Sequence, residues 1–64
     1  MKNATLTPDR FEAVLQYALS FGAYQATSGT SSLAHAREAW EELERLGTPM
    51  YVREYLETQV GRLP

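Results

Sequence analysis

Sixty-four residues, 44% of them apolar and 22% charged, make one small globular domain at most, near the size where a single hydrophobic core is marginal. A formal net charge of −2 argues against a chain that lives on nucleic-acid backbone, which asks for a basic surface. With no cysteine and one histidine there is no disulfide framework and no basis for a structural zinc site, which leaves oligomerisation as the common remaining way to stabilise so short a chain.

Met1 to Leu6 reads as a short polar lead with no secretory leader pattern. Thr7-Pro8-Asp9 then starts a helix: Thr7 can cap, Pro8 suits the first helical position, and Asp9 complements the positive end of the dipole. Leu6 and Phe11 stand at the spacing of a hydrophobic staple. Helix 1 is expected over about 8–26. Its main stripe at 3.6 periodicity is Phe11, Val14, Leu15, Ala18, Phe21, Gly22 and Gln25, and a second stripe is Ala13, Tyr17, Ser20 and Tyr24. Leu19, Ala23 and Ala26 lie roughly opposite that second stripe. From Ala13 to Ala34 the chain holds no Asp, Glu, Lys or Arg, so helix 1 is apolar or small almost all the way round and needs cover on more than one side. Gln16, Ser20, Gly22 and the Thr27–Ser32 run make this stretch too polar and too interrupted to span a bilayer. Cytoplasm is therefore the expected location.

Thr27 to Ser32 is a break in which Gly29 favours a turn and Ser31 or Ser32 the N-cap of helix 2. Helix 2 is expected over about 32–46, with Leu33, Ala36, Trp40 and Leu43 inward, Ala39 and Leu46 beside them, and a charged outer face in which Glu41 and Arg45 stand in the favourable i,i+4 order. Gly47 fits the position after the helix end, and Thr48-Pro49 repeats the cap-plus-proline start of helix 1. Helix 3 is expected over about 49–60, its inner stripe Val52, Tyr55, Leu56, Gln59 and Val60, with Leu63 continuing the contact. There is no strand-like alternation. The fold class is thus all-α, a single helical domain over 1–64: an antiparallel hairpin plus a third short helix, packed as a homo-oligomeric bundle because one protomer cannot easily cover both stripes of helix 1.

Catalysis needs a nucleophile with a base, paired carboxylates or a metal. His35, with Ser31 and Ser32 one turn before it and Glu38 one turn after, is strung along one helix and cannot bring such groups onto one reacting atom; it reads as a solvent-edge histidine beside Glu38. No enzyme activity, cofactor or metal is expected. Self-association or partner docking is expected through Phe11, Leu15, Tyr17, Ala18, Phe21, Gly22, Tyr24, Met50 and Tyr51. An alternative is a phosphate-type ligand gripped by Tyr24, Thr30, Ser31, Ser32 and Arg37, since free N–H groups at a helix start attract anions. A second alternative is a helix-turn-helix-like DNA regulator with Arg53 as the contact, against which stand the many glutamates of helix 2 and Glu54 and Glu57 in helix 3.

In its size, its lack of a catalytic set and its hairpin with one over-apolar helix, the chain resembles the small helical accessory proteins of bacteriophages. That resemblance implies a viral protein in the host cytoplasm, acting by stoichiometric binding: either it inhibits or adapts a host protein, or it sequesters a nucleotide signal of host defence. The expected function is accordingly a small non-enzymatic homo-oligomer that binds a partner protein, with nucleotide sequestration as the alternative.

Overall fold

Thr7 opens the first helix as its residue type and the following proline suggest, its Oγ1 accepting from the Arg10 N–H at 3.3 Å. The computed structural model describes residues 6–64, and among them it contains three α-helices and no strand: α1 Pro8–Thr27, α2 Thr30–Arg45 and α3 Met50–Gln59. The polar lead expected over 1–6 lies outside the described residues apart from Leu6.

Only Ser28 and Gly29 separate α1 from α2, so the chain must reverse at once. Ser28 makes the reversal in the left-handed conformation, φ +59°, with its N–H on the Tyr24 carbonyl. That conformation costs a residue with a Cβ about 1–2 kcal/mol. Ser28→Gly removes this strain against about 0.4–1 kcal/mol of added unfolded-chain entropy. A net gain near ~0.5 kcal/mol is expected, which thermal melts of a domain this size would read as a Tm rise of about 2–4 °C.

The two helices then pack antiparallel along their length. Ala13, Tyr17 and Phe21 of α1 meet Ala36, Ala39 and Leu43 of α2, and all six are buried. The alanines let the backbones approach, and the rings fill the remaining space: Tyr17 lies 5.1 Å from Trp40 and 5.5 Å from Phe21, which stacks on Tyr24 at 5.6 Å. Leu46 and Gly47 end α2 with a paired closure. The Gly47 N–H bonds the Glu44 carbonyl, and the Thr48 N–H bonds that of Leu43, with Gly47 at φ +70°. Arg10 reaches across from the start of α1 and donates to the Leu46 carbonyl at 3.0 Å and the Gly47 carbonyl at 3.2 Å. A cation thus sits at the negative end of α2 and satisfies carbonyls that the helix leaves open. α3 buries Leu56, and the segment after it lies along α1, with Val60 and Leu63 against the core.

Several expectations change. The inward face of α1 is centred on the Ala13–Tyr17 stripe plus Phe21, and the bulky members of the main stripe, Phe11 and Leu15, turn outward. Ala13, Tyr17 and Phe21 share one buried cluster with Ala36, Ala39 and Leu43 of α2, and Tyr17 also bonds the Gly61 carbonyl, a set of contacts that fixes this side of α1 inward. α2 begins at Thr30 with Gly29 as its N-cap and no side-chain cap bond, so neither Ser31 nor Ser32 caps it. Thr48-Pro49 does not repeat the Thr7-Pro8 start. Thr48 is drawn into the closure of α2 and buried, so Pro49 becomes the N-cap of α3. Tyr55, expected inward, is 64% exposed. Arg45 pairs with Glu42 one turn back, while Arg53 lies 3.6 Å from Glu44.

The result is an elongated body of 40 × 18 × 15 Å. Its Cα radius of gyration is 11.6 Å, above the roughly 10.7 Å of a compact chain of this length. Phe11, Leu15 and Leu19, on the side of α1 away from Tyr17, stay exposed.

Candidate functional site

Turned 100° per residue, Phe11, Leu15, Leu19, Gly22 and Ala26 fall on the side of α1 opposite Tyr17. Phe11 is 49%, Leu15 44% and Leu19 71% exposed, and Leu6 just before the helix is 45% exposed. Ala18 and Gly22 on the same side are half-buried. A Cβ built on Gly22 meets nothing within 4 Å, so the chain's own packing makes no use of the missing side chain. This outer face combines uncharged residues, large apolar groups in water and an open glycine. It is the surface least explained by the fold of one chain.

Of the residues expected to form an interface, Phe11, Leu15, Met50 and Tyr51 are exposed, and Ala18, Gly22 and Tyr24 are half-buried. Tyr17 and Phe21 are not available to a second chain, because their side chains make the seam between α1 and α2. Leu19, which lies with Ala23 and Ala26 outside both named stripes, is the most exposed large apolar residue. Its position opposite the Ala13–Tyr17 stripe was the signal that could have placed it on an outer face.

The residues of the alternative anion site are divided between the last turns of α1 and the first half of α2. Thr30, Ser31 and Ser32 form the first turn of α2, whose first N–H to carbonyl bond beyond the turn runs from Leu33 to Gly29. Tyr24 is stacked on Phe21, and Arg37 is exposed further along α2. A cleft of about 370 Å³ lies elsewhere between α1 and α2, lined by Asp9, Glu12, Glu38 and Glu42 together with Gln16 and His35. Four carboxylates give it a field that repels phosphate. His35 is exposed at its rim, as a solvent-edge histidine should be. Among the described residues no three His, Asp or Glu side chains are grouped so that they could hold a metal ion. Arg53, the residue a helix-turn-helix reading would send into a groove, has 24% of its side chain exposed and lies beside Glu44.

Among the described residues, one titratable group is displaced by its setting. Burial pushes the Tyr17 phenol above its ordinary value, and the carboxylate of Glu57 adds to the rise. The hydroxyl donates to the Gly61 carbonyl at 2.6 Å, so it ties the end of the chain to α1 and serves the fold.

Among the described residues, the fold and its surfaces thus define three helices with an exposed apolar face on α1. No family model, no curated protein and no solved structure matches the chain. No helix among the described residues is long and apolar enough to cross a membrane.

Proposed function

We propose that this protein is a small, non-enzymatic helical homo-oligomer that works by stoichiometric binding, inhibiting or adapting a partner protein. The observation that supports it is the outer face of α1, where Phe11, Leu15 and Leu19 stand in water at 44–71% exposure on a helix segment with no charge after Glu12. Burying one such side chain is worth about 1.5–3 kcal/mol, and a chain of this size has little stability to spare. A second copy is the cover available to every molecule. Met50, Tyr51 and Tyr55 are 62–64% exposed on α3, and they supply the aromatic and flexible groups that protein contacts favour. They are the surface left for the partner protein.

The test is the mass in solution by light scattering across a dilution series, with Leu15→Glu and Leu19→Glu beside the natural chain. The expected result is an oligomer that dissociates on dilution and is a monomer in both variants, with helical content kept because both positions are solvent-facing within the chain. A natural chain that is monomeric from micromolar to millimolar concentration would overturn the proposal.

A further inference from the structure

Resting on that reading, we infer that the occupant of the outer α1 face is the same helix of a second copy, laid antiparallel about a two-fold axis between Ala18 and Leu19. Of the large residues of the face, Phe11 and Leu15 lie before the axis and Leu19 just past it, and of the small ones Gly22 and Ala26 lie beyond it, with Ala18 just before it. Antiparallel pairing about that axis sets Leu15 on Gly22 and brings Phe11 level with Ala26 of the other copy, while the two Leu19 side chains meet beside the axis. A parallel pair would set Phe11 against Phe11 and Gly22 against Gly22, wedged open at one end and empty at the other. The antiparallel arrangement also sets the two helix dipoles head to tail. It is isologous, as a two-fold contact must be.

Gly22 supplies the second, independent observation. Glycine inside a helix costs about 1 kcal/mol against alanine, and here no atom of the chain fills the space its Cβ would occupy. Its φ is ordinary, since the positive-φ glycines are Gly47 and Gly61 alone among the described residues. Neither backbone geometry nor packing within one chain calls for glycine at this position. A side chain entering from outside does, and Leu15 of the other copy is the group the register delivers there. The contact is one helix wide along a helix about 30 Å long, which puts it at or below the standard interface of about 800 Å² per partner. The dimer is therefore dilution-sensitive.

The register predicts opposite signs for one substitution. Gly22→Ala should raise the Tm of the monomer, measured at low concentration, by about 4–8 °C, because alanine is the better helix former. The same change should weaken dimerisation at least tenfold, and Gly22→Leu should abolish it while leaving the monomer folded. Spin labels on single cysteines, simple to place in a chain without cysteine, read the direction of pairing. At 1.5 Å rise per residue the antiparallel register separates two Gln16 sites by about 8 Å along the axis and two Glu12 sites by about 20 Å. A parallel pair gives both sites the same short separation. Equal distances at the two sites, or a dimer that tightens with Gly22→Ala, overturn this register while the self-association reading stands. A monomer at every concentration overturns both.

Discussion

Tyr17→Ala is expected to unfold the protein at room temperature or leave it marginal. Tyr17 is fully buried, touches Phe21 and Trp40 through its ring, and holds Gly61 through its hydroxyl. Removing a large buried aromatic costs about 3–5 kcal/mol, while a chain of this length has roughly 3–10 kcal/mol in total. Tyr17→Phe separates the two roles. It keeps the ring and leaves the Gly61 carbonyl without its donor, for an expected loss of about 1–2 kcal/mol in urea or thermal unfolding. The hydroxyl also makes stability depend on pH in one direction. Its folded-state pKa lies above the ordinary value of 10.0, through burial and then through Glu57. Below pH 10 both states keep the proton and the contribution is complete. As the pH rises past 10 the unfolded chain sheds it first, so the folded state holds more protons and stability falls until the folded phenol ionises too. The natural chain should therefore lose stability above pH 10 more steeply than Tyr17→Phe. Equal slopes would show that the phenol is not held as described.

Gly61→Ala is expected to free the C-terminal segment from α1. Gly61 has φ +141°, a backbone region that L side chains rarely adopt. A Cβ there would stand 2.6 Å from Cε2 of Phe21 and 2.5 Å from Nε2 of Gln25. The Gln25 amide can swing aside at the loss of its 3.0 Å bond to the Val60 carbonyl, but Phe21 is locked in the core. Strain of about 1–3 kcal/mol and overpacking of similar size act together, for an expected total of about 2–4 kcal/mol. The loss should be local at first. Hydrogen exchange at the Val60 and Gly61 amides should speed up more than at Leu43, whose side chain sits between α1 and α2. Uniform acceleration along the chain would mean that the segment and the hairpin fold as one unit.

Much of the helical framework is legible from residue types with local consequences. Thr7 before Pro8 caps α1, Gly47 closes α2, and the alternating Leu33, Ala36, Trp40 and Leu43 row turns inward as its period requires. Leu63 joins the core from beyond the last helix, as its spacing suggests. The candidate site was legible only in outline. The charge-free run said that α1 has more apolar surface than one neighbour can cover, and periodicity then offered two stripes without ranking them. Tyr17 and Phe21 look like interface residues in isolation, because nothing local marks an aromatic ring as belonging to its own chain's core. Leu19, most exposed of the large apolar side chains, lay outside both stripes.

By itself the sequence determined that the chain is helical, that Thr7 and Pro8 open α1, that Gly47 follows α2 and that α1 is apolar on more than one side, since caps, proline, glycine and hydrophobic period act within one or two turns. The tertiary structure alone decided which side of α1 faces inward, because that choice depends on partners in α2 and the C-terminal segment, Trp40 and Gly61 among them. It also decided that Arg10, which local pattern places in water, reaches the far end of α2, and that Thr48 is buried at a turn instead of capping α3. Those contacts join residues far apart along the chain, and no local pattern carries information about which distant carbonyl or ring will be within reach.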